Sequence, residues 1–222
     1  MATLLIQLSG PLQAWGGSAR FNLRPTQQIP TKSAVLGLVG AALGFPRRDS
    51  NALGELNAMH FGVRVEQPGE LVIDFHTVSG AVNAAGKEPQ STTITDRHYL
   101  AGATFLAGLE GERALLERIH GALLRPRWLL TLGRRSCLPG ASPWLPDGLV
   151  ELPLEEALRN FRRLRPDNAP LLLELEDAVE GSLRMDSPID FQGRLFAPRF
   201  VRSTVIEETS CSTLESSSPS TT

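Results

Sequence analysis

Hydrophobic and polar residues follow two spacings along this chain, and the spacings predict its regular elements. Short apolar runs and strict alternation indicate strands, whereas apolar positions three and four residues apart indicate a helix. The first pattern predicts strands over 3–8, 61–66, 71–78, 92–99, 103–109, 128–132, 171–175 and 200–206. Periodicity and helix boundary signals together predict helices over 32–43, 112–124 and 153–161.

The order of these elements predicts the fold class. With the strands 71–78 and 92–99 set aside, the order up to residue 132 is β–α–β–β–α–β, the ferredoxin-like order that RNA-recognition domains share. We therefore predict an α+β fold with a ferredoxin-like (RRM-like) βαββαβ domain over 1–146. An inserted β-hairpin, here called the thumb, occupies about 71–99, because the small and polar residues 82–90 at its tip offer nothing apolar to bury.

The remainder of the chain has two parts. Residues 147–206 are predicted to form a small β-rich C-terminal extension. Residues 207–222 are dominated by serine and threonine and are predicted to be a disordered tail, since such a composition buries too little apolar surface to fold.

The helix over 32–43 has clear boundary signals. Thr31 is a good N-cap residue, and Gly44 marks the end of the helix. Gly37, Gly40 and Gly44 fall near one helix face. Because a glycine inside a helix costs about 1 kcal/mol relative to alanine, this face predicts close packing of the helix on a sheet.

Charge is distributed unevenly along the chain. The formal net charge of the 222 residues is −2, yet residues 1–146 hold 14 basic and 10 acidic side chains, a net of +4. Residues 147–190 hold 5 basic and 11 acidic side chains, a net of −6. This pattern predicts local contact with a nucleic acid by the first part of the chain rather than non-specific coating. The acidic stretch is a candidate protein-facing surface.

Other features of the composition indicate a cytoplasmic protein without a membrane segment. Cys137 and Cys211 have neither a CxxC partner nor metal-ligand spacing, which favours a reducing compartment. The apolar run near the N-terminus is short and lacks the basic flank of a signal peptide. The sequence predicts no metal and no cofactor.

The long loop over 10–31 and the helix start that follows it form a candidate polyanion site. Lys32 and Ser33 follow Thr31 at a helix N-terminus, where free N–H groups favour a phosphate. A P-loop is excluded, because Thr26 and Thr31 stand where that motif needs glycine. An ordinary capped helix with a solvated lysine is the alternative, and both interpretations remain open at this point.

A second candidate phosphate site is Gly133-Arg134-Arg135-Ser136. Two adjacent arginines in a glycine-containing loop can hold one phosphate, and each charged hydrogen bond contributes about 1.5–3 kcal/mol. The alternative is a pair of solvated loop charges. In a βαββαβ fold this loop and the 10–31 loop are expected at the same end of the sheet.

Base contacts are the third element of this prediction. Trp15 lies among glycines, including Gly16, and either stacks on a base or fills the edge of the core. Gln13 beside it is a candidate base contact, and Arg20 and Arg24 are candidate backbone contacts.

Catalysis by a histidine is the weaker hypothesis. His98 and Tyr99, next to Arg97, could cleave RNA without a metal, with the histidine as general acid or base. The alternative is that these residues pack and form hydrogen bonds at the base of the hairpin.

The chain resembles the Cas-five family of CRISPR-associated proteins, the handle-capping subunits of type I-E Cascade complexes. The residues that carry the resemblance are GPLQAWG at 10–16, PTKSAVLGLVGA at 30–41, DFHTV at 74–78, PRW at 126–128 and LGRRSC at 132–137. The similarity extends from about residue 3 to residue 161, and the combination of motifs is highly specific.

The resemblance implies a non-catalytic subunit in antiviral defence that binds and caps the 5′ handle of the CRISPR RNA. Its implied partners are the CasC backbone subunit, the large subunit CasA and, through the assembled complex, target DNA. The implied thumb residues are His76, Thr77, Val78, Lys87 and Arg97. Some relatives in another subtype are endoribonucleases with a His, Lys and Tyr set. Here Arg97 stands in place of the lysine, so processing of precursor RNA is the alternative function.

Overall fold

The computed structural model describes residues 1–17, 22–80, 82, 86, 92–166 and 169–206. Arg20, Lys87, Cys211 and the predicted tail 207–222 lie outside the described residues. In the described ranges the strands are β1 Ala2–Ser9, β2 Leu12–Gln13, β3 Leu23–Arg24, β4 His60–Gln67, β5 Glu70–Val78, β6 Thr93–Ala101, β7 Thr104–Gly111, β8 Leu149–Val150, β9 Leu171–Asp177, β10 Ser182–Asp190 and β11 Leu195–Ile206. The helices are α1 Lys32–Leu43, α2 Ser50–Asn57, α3 Arg113–Leu124 and α4 Leu154–Asn160.

A large antiparallel sheet organises the molecule. Seven strands follow one another in the order β10–β11–β9–β4–β7–β1–β8. Helices pack on both of its faces: Leu116 of α3 joins one core cluster, and Leu158 of α4 joins the other. Along β1, Leu4 and Ile6 belong to the first cluster while Leu5 belongs to the second. The apolar run at the N-terminus is continuous because this central strand is buried on both sides.

A second, smaller sheet is built around β6. Strand β5 pairs antiparallel with β6 from Glu70 opposite Ala101 to Val78 opposite Thr93. The two-residue strands β2 and β3 also pair with β6. The strands predicted over 71–78 and 92–99 are therefore confirmed to within two residues at each end, and they form a hairpin.

The strand predicted over 128–132 is wrong. This segment packs as a loop against the end of α1, where the N–H groups of Arg127 and Trp128 donate to the carbonyls of Ala42 and Ala41. Leu130 and Leu132 are buried although they are not in a strand, which explains the misleading apolar pattern. The strand that pairs with β1 at that edge of the sheet is β8, later in the chain.

Two elements lacked a recognisable sequence pattern. Helix α2 is short and contains Gly54, which weakens its helical signal. Strand β10 contains Pro188, and its pairing with β11 shifts register near Met185 and near Pro188. Such irregularities interrupt the period-2 alternation from which strands are recognised.

The predicted boundaries of α1 are confirmed, but the proposed role of two of its glycines is wrong. The Thr31 hydroxyl accepts from the Ala34 N–H, and Gly44 ends the helix in the left-handed region at φ 78°. Close packing was predicted at Gly37 and Gly40, yet an added Cβ at either would meet no described atom within 4 Å. A side chain added at either position would therefore extend into open space rather than against a sheet, although Gly40 itself is buried.

The predicted C-terminal extension shares the large sheet with the first part of the chain. Strand β9 pairs with β4, and β11 and β10 continue the sheet beyond it. A domain boundary at residue 146 stays a prediction. Among the described residues, no helix has the length and apolar character that crossing a membrane requires.

Candidate nucleic-acid interface

A large cleft lies beside α1. Its volume is about 1140 Å³, and its lining comes from the loop before α1, the exposed side of α1, the start of α2, the 131–135 loop and the β10–β11 hairpin. Segments from both the predicted first domain and the predicted extension therefore line a single space. Seven arginines line it, against three acidic residues, Asp49, Glu174 and Asp186.

Four of these arginines, here called the rim arginines, have no partner among the residues that the structure describes. They are Arg24, Arg47, Arg135 and Arg194, and in the described part of the chain no residue forms a hydrogen bond or ion pair with their guanidinium groups. Arg24, Arg47 and Arg135 are exposed. Unpaired guanidinium groups around one cleft are suited to bidentate contacts with phosphates.

The other three arginines of the cleft, Arg134, Arg184 and Arg199, are already engaged, and the contacts of Arg134 are described below. Arg184 pairs with Glu174 at 2.8 Å, and Arg199 donates to both carboxylate oxygens of Asp186 at 2.6 and 2.9 Å. These pairs neutralise two of the three acids in the lining. The positive electrostatic potential of the cleft is therefore due mainly to the rim arginines.

The start of α1 contradicts the predicted phosphate site at Lys32. The ammonium group of Lys32 is buried and pairs with Glu176 at 2.9 Å, and its backbone N–H donates to Asp186 at 3.0 Å. Burial lowers the pKa of Lys32, and the hydrogen bond and charge of Glu176 partly oppose that shift. We call Lys32, Glu176, Asp186 and Arg199 the buried charge network. A carboxylate of the protein already occupies the place predicted for a phosphate.

Thr31 and Ser33 keep a position at the cleft. Both line it, and their hydroxyl groups are 3.3 Å apart. The Thr31 hydroxyl already caps α1. Of the predicted Thr31-Lys32-Ser33 set, the half-buried Ser33 therefore has the more accessible hydroxyl.

Gln13 and Trp15 are buried, which contradicts their prediction as base contacts. The indole Nε1–H donates to Gln13 Oε1 at 2.9 Å, and Gln13 Nε2 donates to the Ala103 carbonyl at 2.7 Å. The indole also meets the Phe105 ring edge to face, with the ring centroids 6.4 Å apart. The alternative interpretation, that Trp15 fills the edge of the core, describes its position. Gly16 lies at the cleft with φ 61°.

The two arginines of the GRRS loop have different environments. Arg134 donates to the carbonyls of His98, Arg24 and Pro25, and its guanidinium carbon lies 4.7 Å from the centroid of the Tyr99 ring. Its guanidinium group is engaged in joining the GRRS loop to β6 and to residues 24–25, which disfavours a role in holding a phosphate. Arg135 is exposed and has no partner among the described residues, and Ser136 is exposed beside it.

The GRRS loop and the loop after β1 do meet at one end of the sheet. The Ala14 N–H donates to the Leu132 carbonyl at 3.0 Å. Gly133 adopts φ 93°, and a Cβ at that position would lie 1.7 Å from the Ala14 carbonyl oxygen. A glycine is required there, because any side chain would force the two loops apart.

The structure separates the side chains of His98 and Tyr99. They are neighbours in β6, and successive side chains of a strand point to opposite faces. Tyr99 is buried in the core under Arg134, whereas His98 is half-buried on the other face. Among the described residues, no group of three or more His, Cys, Asp or Glu side chains has the geometry of a metal site.

The described thumb residues lie on the β5–β6 hairpin, away from the lining of the cleft. His76 pairs opposite Thr95 and lies 3.7 Å from the Asp74 carboxylate, and Arg97 donates to the Thr95 hydroxyl at 3.2 Å. Thr77 and Val78 complete β5. Leu71, Ile73 and Phe75 on the same strand are 59%, 57% and 64% exposed, which is unusual for large apolar side chains so close together.

Three cleft residues with side chains suited to contact a nucleic acid were not predicted from the sequence as site residues. Arg47 follows α1, Arg194 lies in the β10–β11 turn at φ 54°, and Trp128 is 46% exposed in the cleft. The PRW motif quoted above contains Trp128, but its assignment to a strand hid the exposure of the indole. Arg194 belongs to a hairpin that was not recognised, so no sequence signal placed it near α1.

Comparison with known proteins identifies the family. Residues 3–202 match the family model of CRISPR-associated proteins called Cas5 (Cas_Cas5d). The "CRISPR system Cascade subunit CasD" of Escherichia coli strain K12 is 37% identical over 216 residues, which cover 88% of this chain and 92% of that protein.

Solved structures agree with this match. One described as "Crystal structure of Cas protein" has a TM-score of 0.76 and 47% identity, covering 92% of this chain and 95% of that one. A chain from a "CRISPR RNA-guided surveillance complex" has a TM-score of 0.72 and 31% identity, covering 92% and 90%. The family that the sequence motifs resemble is thus confirmed over nearly the whole chain: this protein belongs to the Cas5 family of CRISPR-associated proteins.

Proposed function

We propose that this protein is a non-catalytic RNA-binding subunit of a type I-E Cascade complex, and that its cleft holds the 5′ handle of the CRISPR RNA. The observation that carries the proposal is the set of four unpaired rim arginines around one cleft of about 1140 Å³. The names of two relatives, a Cascade subunit and a chain of an RNA-guided surveillance complex, support the same assignment.

The cleft suits a short single strand better than a duplex. Its walls come from loops, a helix and a hairpin, which together form a cleft rather than a flat basic face. The small formal charge of the chain and the acidic stretch 147–190 disfavour non-specific coating of nucleic acid. The rim arginines would hold phosphates and so position the strand.

The strand order supports the finer description of the fold. Within the large sheet the order β8–β1–β7–β4 is that of a ferredoxin-like βαββαβ unit whose last strand is β8 rather than 128–132. The β5–β6 hairpin is then the inserted thumb. Its exposed apolar strand β5 has a free edge, which would pack between the guide RNA and the adjacent CasC subunit.

The remaining parts of the proposal concern the partners of the protein and its cellular location. The acidic stretch 147–190 would face protein, in the junction that joins CasC to CasA, although its Glu174 and Asp186 turn toward the cleft and are paired there. The assembled complex would contact target DNA, and the protein would act in the cytoplasm. Cleavage of precursor RNA is disfavoured, because His98 and Tyr99 lie on opposite faces of β6.

Two pairs of arginine substitutions test the assignment of the cleft. Arg47→Ala with Arg135→Ala removes two rim charges, whereas Arg48→Ala with Arg125→Ala removes two exposed charges outside the cleft. Both variants lose the same formal charge. Binding of a CRISPR RNA handle is measured by fluorescence anisotropy, and recovery of RNA with the purified complex gives a second readout.

The rim variant is expected to bind about 100-fold more weakly, at about 1.5 kcal/mol for each lost charged contact, and to show a shallower salt dependence. The control variant is expected to bind like the wild type. Equal losses in both variants would show that net charge, not the cleft, attracts the RNA. A wild-type complex that carries no CRISPR RNA would overturn the proposed function altogether.

A further inference from the structure

We propose that Trp128 is a stacking platform for one unpaired base of the RNA strand. Trp128 is 46% exposed and lines the cleft. The other two tryptophans differ: Trp15 is 0% exposed, and the indole of Trp144 lies against the His120 ring with its Nε1–H buried. An indole that remains open inside a basic cleft has the surface on which a base stacks.

The backbone that carries this indole is anchored to α1. The Trp128 N–H donates to the Ala41 carbonyl at 3.2 Å, and the preceding Arg127 N–H donates to the Ala42 carbonyl at 2.9 Å. The stem of Arg127 also packs where a Cβ at Gly44 would otherwise lie. Two hydrogen bonds to one helix thus hold the backbone that carries Trp128 in place before any ligand binds, which lowers the entropic cost of ordering this loop.

The neighbouring face of α1 leaves room for a base. Gly37 and Gly40 line the same cleft as Trp128, and a Cβ added at either meets nothing within 4 Å. Inside a helix alanine is more favourable than glycine, so the chain's own packing gives no reason for two glycines here. The absence of side chains keeps the cleft open beside the indole.

The charges around the cleft would position the strand on this platform. Arg47 and Arg135 line the same space as Trp128, so phosphates on either side of the stacked base would have guanidinium partners. The ligand class is single-stranded RNA with a base turned out of its neighbours' stack. This inference rests on the proposed function, and it adds the residue that contacts a base.

A coupling experiment distinguishes stacking from general loss of affinity. The probe is a set of fluorescein-labelled single-stranded RNAs of handle length in which each nucleotide in turn is replaced by an abasic one. Affinity is measured for the wild type, Trp128→Ala and Trp128→Phe. Leu129→Ala is the matched control, because Leu129 is 75% exposed in the same loop but does not line the cleft.

Stacking predicts that Trp128→Ala weakens binding of intact RNA about 5- to 150-fold, and that Trp128→Phe recovers much of the loss. In the wild type, an abasic nucleotide at one position should weaken binding by a similar factor. In Trp128→Ala, an abasic nucleotide at that same position should cause no further loss of affinity. Leu129→Ala should leave the affinity unchanged. Gly37→Leu should block the cleft and weaken binding while the melting temperature does not fall, because that side chain enters open space.

Two results would overturn the inference without touching the proposed function. One is that Trp128→Ala binds intact RNA as tightly as the wild type, while the rim variant Arg47→Ala with Arg135→Ala binds it more weakly. The other is additivity, in which every abasic position costs the same in Trp128→Ala as in the wild type. Failure of the wild type to bind any RNA of the set would remove the proposed function itself.

Discussion

The rim arginines and the buried charge network both lie near α1 and both contain basic side chains, but those side chains differ in burial and in whether they have an acidic partner. In the network, Lys32 and Arg199 are satisfied by Glu176 and Asp186 and are almost completely removed from water. At the rim, Arg24, Arg47, Arg135 and Arg194 line the cleft and have no partner in the described part of the chain. A basic residue near a helix N-terminus is therefore no indication of a phosphate site until its own acidic partners are known.

The comparison also teaches how the two parts of the chain cooperate. Lys32 comes from α1, whereas Glu176 and Asp186 come from β9 and β10, more than one hundred residues later. The buried charge network fastens the hairpin β10–β11 to the start of α1. That attachment brings Arg194 to the cleft, so the buried network positions the wall from which one rim arginine projects.

The largest expected effect comes from breaking the network. Glu176→Gln leaves the buried ammonium of Lys32 without a charged partner, and we expect a loss of about 3–5 kcal/mol in the free energy of unfolding. Chemical denaturation measures this loss. Glu180→Gln, which removes an exposed carboxylate nearby, is the control and should change stability by less than about 0.5 kcal/mol. Equal stability of the two variants would show that the network is not a structural element.

The adjacent Arg134 and Arg135 provide an intermediate test of the same distinction. Arg134→Ala removes donors to three backbone carbonyls and should cost about 2 kcal/mol of stability. Arg135→Ala should leave stability within about 0.5 kcal/mol but weaken RNA binding about 10-fold. Denaturation and anisotropy on both variants measure the two effects. The comparison fails if Arg135→Ala is the destabilised protein, or if Arg134→Ala folds normally and loses only RNA.

The smallest effect expected is a pH dependence from Lys32. Because burial lowers its pKa in the folded protein, the unfolded chain binds more protons at pH values between the folded and the ordinary pKa. The free energy of unfolding contributed by this group therefore rises with pH across that interval. The readout is the difference in unfolding free energy between the wild type and Lys32→Arg, whose side chain does not titrate there. A difference that falls as the pH is raised would contradict the assigned direction.

Local signals predicted local structure well. The N-cap Thr31 and the left-handed Gly44 defined α1 to the residue, and alternation located β4, β5, β6 and β7 within two residues. The failures have particular causes. The segment 128–132 has the apolar content of a strand because it packs against α1, and β10 escaped notice because its register shifts break the alternation.

The candidate site was harder to predict than the fold. The same residue types can contact a ligand or pack in the core, and the sequence does not show which of them are buried. Gln13 and Trp15 have the residue types of base contacts, yet each is the other's hydrogen-bond partner inside the core. Trp128 was misassigned to a strand although it is the exposed indole. Arg135 retained its predicted role as a candidate phosphate ligand, while the neighbouring Arg134 did not.

By itself the sequence determined the family, the mixed α and β class, the limits of α1 and the accumulation of basic residues before residue 146, since these depend on motifs and on neighbours along the chain. Tertiary structure alone decided which charged side chains form ion pairs within the protein and which face the cleft. The reason is physical: an ion pair such as Lys32 with Glu176 joins residues 144 positions apart. Whether a guanidinium group is free depends on what folding places within hydrogen-bonding distance of it, and local sequence carries no record of that distance.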